Sequence, residues 1–275
     1  MNKNSQRILM CPPEFFSVDY DINPWMSGNT GMVNIEQTKN QWHRLRSTIS
    51  KYAEIEEMMP AEQVPDMVFT ANAGVVYGNK AIVSQFTPIE RQPEEQYFRT
   101  WFQENDFEIL EFNNDIRFEG AGDCLRDREH PCMWAGYGFR TDKEAHKEIS
   151  TLLDLEVVSM KLVDPRFYHI DTCFCPLSNG FIMYYPGAFD ADSLAEIKRR
   201  VSPNKQIIVD EKDATNFACN SVNIGDVVIM NQASKDLKIK IEAAGFDIEQ
   251  VDLSEFLKAG GSAKCLTLKL NEPIV

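Results

Sequence analysis

A short segment that begins with phenylalanine recurs at nearly constant intervals along the chain. Its copies start at Phe69, Phe118, Phe167 and Phe217, so the successive intervals are 49, 49 and 50 residues. A period near fifty residues that repeats through a chain of 275 residues is typical of a radial or stacked architecture. In such folds each repeat forms one structural unit, which excludes most other arrangements of a chain of this length.

An apolar run with a central turn follows each of these segments. The runs read GVVYGNKAIVSQ, MWAGYGFRT, PLSNGFIMYYPG and VNIGDVVIMNQ. They are rich in β-branched and aromatic residues, and Gly-Asn, Asn-Gly and Gly-Asp pairs mark their turns. We therefore expect each run to form a β-hairpin.

A polar stretch with helical spacing of apolar residues follows each hairpin. These stretches cover residues 93–104, 142–153, 190–200 and 234–245, and residues 36–53 supply a fifth helix. If the segment 260–270 pairs with a strand at 7–10, five ββαβ units close into a ring. The prediction is an α/β fold in which residues 1–275 form a single domain, a five-bladed α/β propeller with pseudo-fivefold symmetry.

Equivalent positions of the repeats would converge on the axis of that ring. The residues at these positions are polar or reactive, namely Asn72, Glu119, His169 with Asp171, Asn220 and, in the closing unit, Cys265. Buried polar groups cost free energy unless they are hydrogen-bonded, so a purely structural repeat would place small or apolar residues there. This set predicts an active site, although we assign Asn220 and the adjacent Cys219 to structural filling of the last unit.

Two glycines directly precede the last cysteine, in the segment AGGSAKCLTL at 259–268. Glycine lets the backbone approach a ligand closely, so Gly260 and Gly261 favour a Cys265 thiol that is presented to a substrate. The Leu/Thr alternation after Cys265 predicts that a strand begins there. The alternative is a buried structural cysteine, because free cysteine is among the most buried residue types.

Charge and cysteine usage restrict the partners. The chain has 28 basic and 42 acidic residues, a net charge of −14, which disfavours nucleic acid and membrane surfaces and favours a small cationic substrate. The seven cysteines lack zinc-site spacing, and Cys173 and Cys175 have no further ligands nearby, so we expect no metal. No apolar stretch approaches the ~18 residues of a membrane span, and we expect a cytoplasmic protein.

Five ordered motifs resemble the guanidino-group-modifying enzymes, or penteins, which include arginine deiminases, dimethylarginine hydrolases, amidinotransferases and arginine dihydrolases. The motifs are PDMVFTANAG at 65–74, FEGAGD at 118–123, GYGFRT at 136–141, HIDT at 169–172 and GGSAKCLTL at 260–268. The resemblance spans essentially the whole chain. The fold of that family is the five-bladed α/β propeller that the repeat suggests.

The resemblance implies a role for each matching residue. Cys265 would be the nucleophile, His169 the general acid/base, and Glu119 the carboxylate that orients the guanidinium. The remaining matches are substrate contacts: Asp171 on the guanidinium, Asp123 at the end of the E-G-x-G-D motif, Asp66 on another part of the substrate, and Arg91 and Arg140 as a clamp for an α-carboxylate. A guanidinium carbon is a poor electrophile, so attack on it requires a thiolate and carboxylates that hold the group in plane. No metal or organic cofactor enters this chemistry.

Position 72 separates the branches of the family. Deiminases and dimethylarginine hydrolases usually carry aspartate where this chain has Asn72, whereas FTANAG and the INPWM segment at 22–26 are similar to arginine dihydrolases. Asn23 would then be a further substrate contact. This resemblance implies the conversion of arginine to ornithine, two ammonia and carbon dioxide. The alternatives are an arginine deiminase that yields citrulline and ammonia, or a dimethylarginine dimethylaminohydrolase.

Two other classes of protein are alternatives to an enzyme of this family. An amino-acid-binding protein that has lost catalysis would gain nothing from keeping Cys265, His169, Glu119 and Asp171 together. A nucleotide-handling protein is disfavoured because neither GxGxxG nor GxxxxGK[ST] occurs. Self-association into a homo-oligomer stays open. Dihydrolases of this type also occur fused to a second enzymatic domain, and we expect only the hydrolytic step from this chain.

Overall fold

The computed structural model describes residues 6–113 and 115–272, which contain five β-sheets of three strands each. The sheets follow the chain as β1 (Arg7–Met10), β2 (Glu54–Glu57) and β15 (Leu268–Lys269); β3 (Gly74–Tyr77), β4 (Lys80–Val83) and β5 (Glu108–Leu110); β6 (Cys124–Arg126), β7 (Cys132–Tyr137) and β8 (Glu156–Lys161); β9 (Phe174–Pro176), β10 (Ile182–Tyr184) and β11 (Gln206–Ile208); β12 (Val222–Ile224), β13 (Val227–Met230) and β14 (Asp247–Gln250).

All five sheets share one topology. A central strand pairs antiparallel with one neighbour and parallel with the other, as β4 does with β3 and β5. A helix connects each parallel pair, because parallel strands need a crossover connection. The helices are α1 (Ile35–Ile49), α2 (Glu94–Glu104), α3 (Lys143–Leu153), α4 (Ala191–Arg200), α5 (Glu211–Thr215), α6 (Lys235–Ala243) and α7 (Ser254–Leu257), of which α1, α2, α3, α4 and α6 are the crossovers. The predicted ββαβ repeat is confirmed.

The closing unit joins the two ends of the described chain. Ile8 pairs with Lys269 and Leu9 with Leu268 in antiparallel register, while β1 pairs with β2 in parallel register. The predicted pairing of the segment 260–270 with residues 7–10 is therefore confirmed. The predicted helices also match, except that α1 ends at Ile49 rather than near residue 53.

Two predictions of β-structure, a hairpin and a strand, are wrong. The run MWAGYGFRT is not a hairpin, because residues 132–137 form the single strand β7, whose antiparallel partner is the upstream β6. The chain after Cys265 does not enter a strand directly. Hydrogen bonds from the Leu266 amide to Ser262 O and from the Thr267 amide to Lys264 O close helical turns there, and β15 is only two residues long.

Short 3₁₀ turns precede the hairpins and bring polar residues into the interior. Three of them, Thr70–Ala73, Gly120–Gly122 and Ile170–Thr172, lead into β3, β6 and β9. The second requires glycine at its start: Gly120 has φ +61°, and a Cβ there would lie 2.8 to 2.9 Å from atoms of Gly74, Ser84 and Ala71. The FEGAGD motif therefore fixes the backbone beside Glu119.

Apolar side chains from the strands and crossover helices fill the space around these turns, and Ile8, Leu9 and Met10 of β1 are fully buried. In the part of the chain that the structure describes, no helix is long and apolar enough to cross a bilayer.

Candidate active site

The repeat-equivalent positions meet in the structure as a buried polar cluster. Asn72, Glu119, His169, Asp171, Asn220 and Cys265 are each 3% exposed or less. Hydrogen bonds connect Asn72 to Glu119, Glu119 to His169, and Asn220 to both Asp171 and Cys265. The structure therefore brings together the residues that the sequence placed on the axis of the repeat.

His169 and Glu119 form one pair at the centre of this cluster. His169 Nε2 lies 2.7 Å from Glu119 Oε2, and Arg140 Nη1 donates to the same oxygen at 3.0 Å. Burial would raise the pKa of Glu119, but Arg140 and the hydrogen-bonded His169 together lower it to about 2. Because an ionised carboxylate can only accept, His169 Nε2 carries a proton and is poised as an acid.

Glu119 is nearly saturated with donors. Its Oε1 accepts from the Thr87 amide at 3.2 Å and lies 3.4 Å from Arg140 Nη1. The Arg140 guanidinium also donates to Ile22 O and stacks 4.8 Å from the centre of the Tyr168 ring. A cationic ligand that approached Glu119 would have to share this carboxylate with Arg140 and His169.

The Cys265 thiol has two polar neighbours. Asn220 Nδ2 donates to Cys265 Sγ at 3.0 Å, and the two carboxylate oxygens of Asp171 lie 3.5 and 3.7 Å from the sulfur. Burial and the Asp171 carboxylate raise the pKa of the Cys265 thiol well above its usual value. This environment therefore favours the protonated thiol.

Asp171 retains capacity to accept hydrogen bonds. The Cys265 thiol makes a weak contact with its carboxylate, at 3.5 and 3.7 Å, and the residue is fully buried. Burial raises the pKa of Asp171, and Lys264 and His169 oppose that rise. A planar cation with two parallel N–H groups is the type of ligand that such a carboxylate pairs with, and it would then lie against the sulfur.

Asp123 contacts the backbone next to His169. Its Oδ1 accepts from the Ile170 amide at 3.0 Å, its Oδ2 accepts from Thr141 Oγ1 at 2.7 Å, and Oδ2 lies 4.0 Å from His169 Nε2. Burial raises the pKa of Asp123 to about 7, and the Glu119 carboxylate adds to the rise. The structure thus places Asp123 beside the His169–Glu119 pair, where it holds the Ile170 amide next to His169.

The orientation of the Asn72 amide is set by its partners. Arg91 Nη1 donates to Asn72 Oδ1 at 3.0 Å, so Nδ2 faces and donates to Glu119 O at 3.0 Å. Arg91 is also held by a two-point contact with Glu94, at 2.8 and 2.7 Å, and by Asp66 O at 3.2 Å. Most of the donors of Arg91 are therefore occupied, which leaves little for a carboxylate clamp.

Asp66 presents an unpaired oxygen. Tyr20 donates to its Oδ2 at 2.9 Å, whereas the buried Oδ1 has no hydrogen-bond partner among the described residues. Burial raises the pKa of Asp66, and Arg91 and Tyr20 oppose that rise. An unpaired buried acceptor is costly, which suggests that a ligand donor belongs there.

Asn23 joins the INPWM segment to the glycine-rich approach to Cys265. Its Nδ2 donates to Ala259 O at 3.0 Å, and its Oδ1 accepts from the amides of Trp25 and Met26. Gly260 has φ +81°, and a Cβ there would lie 2.8 Å from Asn23 Oδ1. Asn23 therefore joins residues 22–26 to the segment before Cys265, and its Oδ1 is used by two amides of its own segment.

Sequence reasoning placed Asn220 on the axis of the repeat and assigned it to structural filling; in the structure its amide contacts the thiol. Other neighbours of the cluster were not foreseen from the sequence. Glu94, Tyr20 and Tyr168 carry no motif, because their contacts depend on how distant segments pack.

The described residues contain no group of three or more His, Cys, Asp or Glu side chains arranged to hold a metal ion. All seven cysteines are free thiols.

The chain is similar to proteins of known activity. It matches the family model described as eukaryotic N,N-dimethylarginine dimethylhydrolase over residues 33–272. It is 55% identical to the bifunctional arginine dihydrolase/ornithine cyclodeaminase ArgZ of Synechocystis over 98% of this chain and 38% of ArgZ, so it spans about two fifths of that relative. It is 39% identical to the N(G),N(G)-dimethylarginine dimethylaminohydrolase of Mycobacterium tuberculosis over 97% of this chain and 86% of that protein.

Solved structures of relatives superimpose closely. The N-terminal domain of cyanobacterial ArgZ, as a cysteine-to-serine mutant bound to substrate, matches with a TM-score of 0.97 at 54% identity, over 98% of this chain and all of that one. An asparagine-to-serine variant of the same domain, covalently bonded to a reaction intermediate, also matches with a TM-score of 0.97 at 54% identity, over 98% of this chain and 99% of that one. Together with the family match, these similarities show that the chain belongs to the dimethylarginine dimethylaminohydrolase family of penteins.

Proposed function

We propose that this chain is a cysteine-dependent hydrolase that converts free arginine to ornithine, two ammonia and carbon dioxide. The observation that carries the proposal is the Asn72 amide, which donates to Glu119 O beside the His169–Glu119 pair. The similarity to ArgZ, which is an arginine dihydrolase, supports it. Two water molecules are consumed, so the atoms of the overall reaction balance.

We also propose that residues 1–275 form one catalytic domain whose five sheets are the blades of a propeller around this site. The shared topology of the sheets and the pairing of β1 with β15 support that arrangement. Each blade would contribute one turn to the axis, which explains why the polar residues recur with the period of the fold.

Substrate binding would activate the nucleophile. A guanidinium held by Asp171 lies against Cys265 Sγ, because those groups are 3.5 to 3.7 Å apart. Its positive charge offsets Asp171, whose charge, together with burial, keeps the thiol protonated in the empty site. The pKa of the thiol therefore falls when substrate binds, and the reactive thiolate forms only in the complex.

The first half-reaction replaces one guanidinium nitrogen with sulfur. The thiolate attacks the central carbon, the C–S bond forms, one C–N bond breaks, and ammonia leaves with the proton that the thiol gave up. His169 mediates this transfer: its Nε2–H, held beside Glu119, goes to the leaving nitrogen, and the proton from the thiol replaces it on the imidazole. Water then attacks the amidino-cysteine with His169 as base, the C–S bond breaks, and a citrulline-like ureido group and the thiol result.

The second half-reaction needs that ureido group to stay bound. Cys265 attacks its carbon again, a C–S bond forms and one C–N bond breaks; water then attacks the thioester-level carbon, the C–S bond breaks to restore the thiol, the last C–N bond breaks, and ornithine, ammonia and carbon dioxide leave. One N–H of the Asn72 amide is not used by Glu119 O and can donate to the ureido oxygen, whereas a carboxylate there could only accept. The asparagine-to-serine variant of ArgZ with its covalent intermediate supports this role, and we infer that its asparagine corresponds to Asn72.

The amino-acid end of the substrate would meet the outer part of the cluster. The unpaired Oδ1 of Asp66 is suited to an α-ammonium, and Arg140 keeps donors for an α-carboxylate beyond those given to Glu119 and Ile22. Arg91 would mainly orient Asn72 and contribute at most one N–H to the substrate. Asn23 would hold the segment that covers this end.

Product stoichiometry tests the proposal. Arginine incubated with the protein should yield ornithine and ammonia in a ratio of one to two, without free citrulline, and Cys265→Ser should yield neither. Citrulline with one equivalent of ammonia would identify an arginine deiminase instead.

A second candidate is a dimethylarginine dimethylaminohydrolase, which the family model and the M. tuberculosis relative favour. Competition between arginine and asymmetric dimethylarginine separates the two: the dihydrolase predicts a higher kcat/KM for arginine, and the second candidate predicts turnover of the methylated substrate only.

A further inference from the structure

Four basic side chains surround two small adjoining cavities on the far side of the turn that carries Cys265. Arg126, Lys264 and Lys269 line both cavities, each of about 30 Å³, and Arg128 lines the first. Glu272 is the acidic side chain that lines them. Such a concentration of positive charge is unexpected in a chain whose net charge is −14.

Arg126 lacks an acceptor. The residue is 9% exposed, and its Nη2 has no hydrogen-bond partner within residues 6–113 and 115–272. Its guanidinium lies 5.0 Å from the centre of the Tyr77 ring, which offers a π face and no lone pair. A buried unpaired guanidinium N–H is costly, so a missing acceptor is the simplest account of this geometry.

The remaining charges do not neutralise the cluster. Glu272 Oε2 lies 2.9 Å from Arg128 Nη1, and Glu272 Oε1 lies 3.8 Å from Lys269 Nζ. Neither the buried Nε of Arg128 nor Glu272 Oε2 has a hydrogen-bond partner among the described residues. Lys269 is 8% exposed and donates to Asn223 O. Burial and the Arg128 charge lower the pKa of Lys269 to about 7, which shows how strongly the surroundings oppose another positive charge.

We propose that these four residues bind one small inorganic anion. Cavities of about 30 Å³ hold only one or two water-sized groups, which restricts the occupant to a halide or a compact oxyanion such as bicarbonate or phosphate and excludes nucleotides. The unpaired guanidinium donors of Arg126 and Arg128 supply directed hydrogen bonds, Lys264 supplies charge, and a bound anion favours the protonated form of Lys269.

The site is linked to the nucleophile through Lys264. That residue precedes Cys265, its Nζ donates to Ala121 O, and its charge acts to lower the pKa of both Asp171 and Cys265. A bound anion offsets part of this charge, so its occupancy disfavours the thiolate. The proposal concerns anion binding and stands whether or not the chain hydrolyses arginine.

Bromide-soaked crystals locate the anion directly. We expect an anomalous peak within about 3.5 Å of Arg126 and Lys269 in the wild type. The peak should disappear in Arg126→Gln and persist in Arg199→Gln, a matched control at an exposed arginine of α4. No peak at the cluster, or an unchanged peak in Arg126→Gln, overturns the proposal. Lys269→Met replaces Arg126→Gln should the latter fail to fold.

Thermal unfolding at constant ionic strength gives a measurement in solution. Potassium chloride, bicarbonate or phosphate should raise Tm of the wild type relative to potassium gluconate, whose anion is too large for the cavity, because a ligand of the native state stabilises it. The anion with the largest shift identifies the physiological class. Equal Tm values in all four salts, or the same shift in Arg126→Gln, count against the site.

Alkylation of Cys265 tests the link to the nucleophile. Iodoacetamide should modify Cys265 at least about twofold more slowly at pH 8 when the stabilising anion replaces gluconate, as expected when a nearby charge is offset. Mass spectrometry of the peptide that contains Cys265 measures the rate of alkylation. Arg126→Gln should show no such difference, and an equal rate in both salts for the wild type rules out the link.

Discussion

The side chain of Asn220 holds the turn that carries the nucleophile. Its Oδ1 accepts from the amides of Ser262 and Cys265, both at 3.1 Å, and its Nδ2 donates to Asp171 O at 3.1 Å and to Cys265 Sγ at 3.0 Å. The fully buried amide therefore sets both the conformation of the turn and the hydrogen bond to the sulfur.

Asn220→Asp separates these two functions. The new side chain keeps an acceptor for the two amides but turns a carboxylate oxygen toward the sulfur. Two unit charges about 4 Å apart repel by about 4 kcal/mol at an effective dielectric constant near 20, and partial protonation of the carboxylate reduces this to about 3 kcal/mol. A barrier raised by about 3 kcal/mol slows the reaction roughly 10²-fold.

Asn220→Ala should instead destabilise the fold. It leaves two N–H groups and one carbonyl buried without a partner, at about 1 kcal/mol or more each, so Tm should fall by about 6 °C or more.

Steady-state kinetics with arginine and thermal unfolding distinguish these effects. Asn220→Asp should lose about 10²-fold in kcat/KM with a smaller fall in Tm than Asn220→Ala, because it keeps the acceptor for the two amides and loses only the donor to Asp171 O. Asn216→Asp, which adds the same charge four residues away, should leave both quantities unchanged. A kcat/KM of Asn220→Asp within about threefold of the wild type would refute the assigned contact between Asn220 and the thiolate.

Three further predictions concern the groups around the thiol. Cys265→Ser should abolish turnover, fold normally by circular dichroism and still bind arginine by calorimetry; measurable turnover would exclude Cys265 as nucleophile. His169→Ala and Glu119→Gln should each lower kcat by at least about 10²-fold, since each removes part of the proton-transfer pair, and near-native kcat in either would require another acid. Because burial and Asp171 raise the pKa of Cys265, its alkylation by iodoacetamide in the free protein should accelerate about tenfold per pH unit from pH 7 to 9, whereas a plateau below pH 8 would indicate a thiolate in the empty site.

The sequence was sufficient to predict the repeat unit, because apolar hairpins and helices recur with one period. It misplaced the hairpin of the third sheet, since β6 is only three residues long and carries no alternation of its own. The strand expected after Cys265 is largely a helical turn, because amide-to-carbonyl hydrogen bonds there replace ladder pairing. The local pattern of apolar residues does not determine whether a short segment forms a strand or a helical turn.

The sequence predicted which residues of the repeat would lie together, but it did not predict the residues that support them. Asn72 and Cys265 stand at equivalent positions, so their convergence follows from the topology. The two-point contact of Glu94 with Arg91 and the contact of Tyr20 with Asp66 depend on side-chain packing between segments. The basic cluster of Arg126, Arg128, Lys264 and Lys269 likewise has no motif, since two distant segments, 126–128 and 264–269, supply it.

The fate of the guanidino carbon tests the central claim most directly. When the wild-type protein is incubated with arginine labelled with ¹³C at that carbon, the label should end in bicarbonate and dissolved carbon dioxide. Asn72→Asp should accumulate the ureido signal of citrulline, because a carboxylate at position 72 loses the donor contact to Glu119 O and cannot donate to the ureido oxygen. A wild type whose label stops in citrulline, or an Asn72→Asp variant that still delivers it to bicarbonate at the wild-type rate, would contradict the account.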